Sequence, residues 1–126
     1  MLRGLALLVA GCAGQGAAEA GPAGRAALTF RAAVEDDPAE ACTLLAPGTL
    51  EELEETDGRC ATAIADLGLP SGPGAAEDVE VYGKDALVRA GSDTLFLARF
   101  DDGWRITAAG CTAVQDQPYD CILEAG

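Results

Sequence analysis

Along the chain, apolar residues recur first every three or four positions and later every second position, with a loop between the two regimes. Ala27, Phe30 and Val34 share one face of a helix that opens near Arg25. Asp36-Asp37-Pro38 ends that helix and starts a second, with Asp37 as cap, Pro38 at the first helical position and Glu40 three residues after the cap. This second helix presents Ala41, Leu44 and Leu45, with Cys42 alongside, and stops before Pro47-Gly48. A third start is predicted at Thr49, with Glu52 repeating the capping logic and Glu51, Glu54 and Glu55 forming a solvated face. After Asp57-Gly58, the residues Cys60, Ile64 and Leu67 share a face, and Gly68-Leu69-Pro70 is a strong stop.

Beyond the loop Ser71-Gly72-Pro73-Gly74 the period becomes two. Val79 and Val81 alternate with Glu80 and Tyr82, and Gly83-Lys84 turns the chain. Ala86, Val88 and Ala90 alternate with Leu87 and Arg89 before a second turn at Gly91-Ser92. Thr94 to Phe100 is the most apolar strand, and Asp101-Asp102-Gly103 leads into Trp104-Arg105-Ile106-Thr107-Ala108-Ala109. The hydrophobic pattern selects a three-residue loop at 101–103 over a two-residue turn at Asp102-Gly103, placing Phe100 against Trp104, Ala98 against Ile106 and Phe96 against Ala108, with Gly103 at positive φ. The pattern therefore predicts an α+β domain: three to four N-terminal helices packed on a curved antiparallel meander of about four strands.

Charge narrows the function classes. In 126 residues there are 21 acidic groups against 8 basic ones, for a formal charge of −13. Such a field repels nucleic acid, whose binding needs cations to replace phosphate counterions. The chain has no histidine, which removes imidazole metal ligands and triads built on an imidazole base. No glycine-rich nucleotide loop is present, and no cofactor is implied. Asp101, Asp102, Asp116 and Asp120 lack the spacing of a calcium loop and read as turn-forming, solvated residues.

The first residues read as an address. Met1-Leu2-Arg3 supplies one positive charge, and Gly4 to Ala10 is an apolar run well short of the ~20 residues that span a bilayer. Val9-Ala10-Gly11-Cys12 then resembles the lipobox of bacterial lipoproteins. The resemblance implies cleavage before Cys12, a diacylglycerol on its thiol, and a protein held on the outer face of a membrane. On that reading residues 1–11 are a signal peptide, 12–24 a flexible tether and 25–126 the folded domain. The other reading is an ordinary secretory signal cut near Ala18 or Ala20, giving a secreted protein.

The remaining cysteines agree with export. Cys42, Cys60, Cys111 and Cys121 allow three pairings, and Cys42–Cys60 with Cys111–Cys121 closes two short loops. Neither close cysteine pairs nor histidines are present for zinc, so two disulfides are expected.

Several runs together resemble small actinobacterial lipoproteins of the NTF2-like (cystatin-like α+β) superfamily. They are Val9-Ala10-Gly11-Cys12, Ala41 to Pro47, Val81-Tyr82-Gly83, Phe100 to Cys111 and Pro118-Tyr119-Asp120-Cys121. The resemblance implies a cone of bent sheet closed by helices, and a mostly uncharacterised family. It leaves two function classes. One is a non-catalytic envelope module that binds a small molecule or an envelope protein and touches the membrane through its anchor. The other is an isomerase- or dehydratase-type enzyme with a pocket carboxylate. The strand carboxylates Asp78, Glu80 and Asp93 all fall on polar faces or at turns, which favours the non-catalytic class. Trp104 and Tyr119 are expected in the core, and no ligand-binding residue is singled out.

Overall fold

The computed structural model describes the backbone of residues 3–125 and the side chains of residues 18–125. Four helices precede five strands. They are α1 (Arg3–Asp36), α2 (Pro38–Thr43), α3 (Pro47–Asp57), α4 (Cys60–Asp66), β1 (Asp78–Tyr82), β2 (Asp85–Ala90), β3 (Asp93–Phe100), β4 (Gly103–Val114) and β5 (Gln117–Glu124). The strands form one antiparallel sheet in chain order, β1-β2-β3-β4-β5. One more strand is present than the pattern predicted. The stretch 112–120 has no hydrophobic periodicity, yet it is a hairpin whose turn is set by Asp116 at φ 60, a conformation that aspartate tolerates better than most residues.

The helices cover one face of the sheet. Val79, Val81, Ala86, Val88, Leu95, Leu97, Trp104, Ile106, Ala109 and Leu123 meet Ala27, Phe30, Val34, Leu45, Leu53 and Ile64 in a single core. Phe30, Ile64, Val88, Leu95, Leu97 and Ile106 are fully buried, so side chains fill the space between the layers. Asp37 caps α2 as expected, its side chain accepting the Glu40 N–H at 3.3 Å.

The third helix departs from expectation. Its cap is Ala46 with Pro47 at the first position, and Thr49 is buried, donating its hydroxyl to the Thr107 carbonyl at 3.0 Å. The segment before α3 also pairs with β4: Ile106 donates to the Leu44 carbonyl at 2.9 Å and accepts from Ala46 N–H at 2.8 Å. These bonds close the part of β4 that β5 does not reach, an edge otherwise open to other chains.

Helical backbone continuous with α1 runs through the tether expected over 12–24. Alanine is the best helix former, and Ala23 is fully buried against the sheet, so packing recruits the segment despite Pro22. The side chain of Cys12, where lipidation is expected, lies outside the described ones.

The β3–β4 register is corrected. Asp101-Asp102 is a two-residue turn closed by Phe100 opposite Gly103, and Trp104 faces Arg99 while Ile106 faces Leu97 and Arg105 faces Ala98. Phe96 still faces Ala108, because β4 carries one extra residue between Ile106 and Ala108. Thr94 to Phe100 is apolar on both faces, so alternation alone did not distinguish the registers. Leu95 and Leu97 took the helix side. Gly103 has φ +120, and Gly103→Val is expected to cost about 1–3 kcal/mol in urea unfolding, since a β-branched side chain is strained there. An unchanged midpoint would contradict that turn geometry.

Candidate functional site

On the face of the sheet without helices, Asp78, Glu80 and Tyr82 of β1 stand beside Leu87 and Arg89 of β2. Arg89 holds Asp78 at 2.5 Å and Glu80 at 2.8 Å through Nη1, and its Nη2 reaches the Tyr119 hydroxyl at 3.4 Å. Tyr82 donates its hydroxyl to Glu80. The Tyr82 hydrogen bond, then Arg89, lowers the Glu80 pKa, and the same contact with Glu80 raises that of Tyr82. Glu80 is therefore a weak base and Tyr82 a weak acid. The cluster ties β1, β2 and β5 together more readily than it moves protons.

Asp93 is the exception that the pattern did not reveal. It opens β3 next to a turn, yet its side chain is only 2% exposed and faces Arg31 Nε of α1 at 3.4 Å. Arg31 also donates to the Ala90 and Ser71 carbonyls, each at 3.3 Å, and Asp93 accepts the Gly110 N–H at 3.2 Å. Burial pushes the Asp93 carboxyl above its ordinary value, with the Arg31 charge and the Gly110 N–H opposing. Gly110 itself has φ +65, and a Cβ there would come within 3.1 Å of Ile122 and Leu69 side-chain atoms, so glycine lets β4 bend toward Asp93.

Trp104 is buried as expected, and its indole N–H donates to Glu19 of α1 at 2.9 Å. Tyr119 is not in the core. It packs edge-on against Phe96 at 5.1 Å on the helix-free face, because β5 directs it away from the helices. Phe96, Ala108, Pro118, Tyr119 and Cys121 line an open groove of about 510 Å³.

Both disulfides form in the expected pairing. Cys42–Cys60 ties α2 to the start of α4, and Cys111–Cys121 joins facing residues of β4 and β5. Glu54 also accepts the Cys60 N–H at 3.2 Å, so one member of the acidic α3 face serves as a cap for α4. Among the described residues, no three of His, Cys, Asp or Glu converge as a metal ion requires. Asp102 instead pairs with Arg105. No helix among the described residues is long and apolar enough to cross a membrane. The two disulfides fit a protein that folds outside the cytoplasm. Comparison with family models, with curated proteins and with solved structures finds no match to this chain.

Proposed function

We propose that the chain is a lipoprotein of the cell envelope, anchored through Cys12, whose NTF2-like domain binds a small molecule or a partner protein without catalysing a reaction. The observation that carries this reading is the use of the cysteines. Four of the five are consumed in two disulfides, leaving Cys12, directly after the apolar run, as the one outside them. Residues 1–11 act as the signal peptide. Two acyl chains then hold an anionic domain that gains little from the charge of the lipid. The groove beside Phe96 and Tyr119 is the binding surface, since it is apolar, open and uncovered by any described helix.

The non-catalytic reading is supported by the state of the carboxylates. A proton-abstracting base must reach substrate, whereas Asp93 is enclosed by Arg31 and Gly110, and Glu80 is held ionised by Tyr82 and Arg89.

Cells grown with labelled palmitate are expected to incorporate label into this chain and to lose it in Cys12→Ala. Label that persists in the variant, or is absent from both, contradicts the anchor. For the groove, Tyr119→Ser is expected to weaken Nile red binding by about tenfold, roughly 1.4 kcal/mol, with a small fall in melting temperature and a cooperative unfolding transition kept. Unchanged binding places the apolar ligand elsewhere.

A further inference from the structure

One end of the sheet differs in chemistry from the rest of the molecule. The β1–β2 turn at Gly83-Lys84 and the β3–β4 turn at Asp101-Asp102 lie side by side there, Arg99 N–H donating to the Lys84 carbonyl at 2.8 Å. Tyr82 and Phe100 flank these turns and are 63% and 41% exposed. Lys84, Arg99, Phe100 and Arg105, with Asp101 and Asp102 between them, line an open recess of about 720 Å³ at this end. The first helix also meets the sheet here, through Glu19, which accepts from Trp104 and pairs with Arg99 at 3.1 Å. Cys12 stands seven residues before Glu19 on the same helical backbone. At ~1.5 Å of rise per residue, that is about 10 Å of helix between the acylation site and this end.

We propose that this end is the membrane-facing surface of the anchored protein, with Lys84 toward the phosphates of anionic phospholipids and Tyr82 and Phe100 in the headgroup layer. The inference rests on acylation of Cys12 and adds an orientation to it. The short path from Cys12 to Glu19 brings this corner to the bilayer before any other part of the sheet. Charge permits the same corner. Screening limits an exposed charge to about 8 Å at physiological salt, so the groups next to the surface decide orientation and the net charge of the domain does not. Here Lys84, Arg99 and Arg105 nearly offset Glu19, Asp85, Asp101 and Asp102, whereas α3 carries Glu51, Glu52, Glu54, Glu55 and Asp57 with no basic residue. Only Pro47, at the start of α3, borders the recess; its acidic last turn lies beside Ile122 and Leu123 instead. A tyrosine and a phenylalanine beside cations are the side chains that tolerate a headgroup layer, with the lysine stem lying along apolar surface and its ammonium in water.

The test is hydrogen exchange of the full acylated chain on vesicles of phosphatidylglycerol and phosphatidylcholine, against Cys12→Ala in solution. Amides of 82–85 and 99–104 are expected to exchange about tenfold more slowly on the vesicles, while the turn at 114–117 keeps its solution rate. Lys84→Gln/Phe100→Ser in the acylated chain should stay on the vesicles and lose that protection. Equal protection at both ends of the sheet, protection at 114–117 alone, or no dependence on phosphatidylglycerol overturns the orientation while leaving the anchor intact. A chain whose mass shows no acyl group overturns the anchor reading, and the orientation with it.

Discussion

Arg31→Met is expected to lower the unfolding free energy by about 3 kcal/mol, because it leaves the Asp93 carboxylate buried without its cation. The Arg31 guanidinium is 11% exposed at the side chain; it faces the Asp93 carboxylate as an ion pair and donates to two carbonyls, Ala90 before the β2–β3 turn and Ser71 in the loop after α4. Its loss therefore frees the loop as well as the carboxylate. The double variant Arg31→Met/Asp93→Asn is expected to recover most of the loss, to within about 1–2 kcal/mol, since the amide oxygen still accepts the Gly110 N–H and no net charge remains buried. A double variant as unstable as the single one would contradict the pairing.

The effect depends on pH in a stated direction. The Asp93 pKa is raised on folding, chiefly by burial, so folding takes up a proton in the window between its unfolded and folded values. Its favourable contribution is present below the unfolded value and is lost as pH rises through the folded one. In Arg31→Met the opposing cation is gone and the folded value moves higher still. The penalty of that variant, measured by urea unfolding across the acidic range, is therefore smallest at low pH and grows as the carboxyl ionises. A penalty that falls with rising pH would contradict this assignment.

Cys42→Ser/Cys60→Ser is expected to cost about 3 kcal/mol, on the order of 15 °C in melting temperature for a domain of this size. The bridge closes a separation of 18 residues and joins the short helix α2 to the first residue of α4. The other bridge, with a separation of 10, links strands that already pair through their backbones. Cys111→Ser/Cys121→Ser should accordingly cost less. Thermal unfolding of both variants beside the unmodified chain checks the order, and the reverse order would mean that the sheet depends on its covalent link more than the helices do.

Much of the fold was legible because local signals agreed with the packing. Asp37, Pro38 and Glu40 mark a helix start that tertiary structure has no reason to override, and Val79, Val81, Ala86 and Val88 sort themselves onto one face by alternation alone. The failures come where two answers satisfy the same pattern. Thr94 to Phe100 is apolar on both faces, so its partner strand fitted in either register until a bulge in β4 reconciled them. Residues 13–24 lack large apolar groups, and nothing local tells that Ala23 is fully buried. Tyr119 and the fifth strand escaped because Gln115-Asp116 turns the chain without glycine.

Asp93 left one trace in the sequence. Arg31 follows Ala27 by four residues, on the stripe that includes Phe30 and Val34, and an arginine there requires a buried anion. Which carboxylate answers it depends on a contact 62 residues away, and no local pattern supplies that.

The central claim is that Cys12 carries the lipid and the other four cysteines carry the bridges, outside the cytoplasm. Intact-mass and peptide analysis of the chain extracted from membranes, alkylated before any reduction, reads both at once. The account predicts a chain that begins at an acylated Cys12, with Cys42, Cys60, Cys111 and Cys121 resistant to alkylation and recovered as Cys42–Cys60 and Cys111–Cys121. A chain that keeps residues 1–11, bears no acyl group and alkylates at all four positions would contradict it.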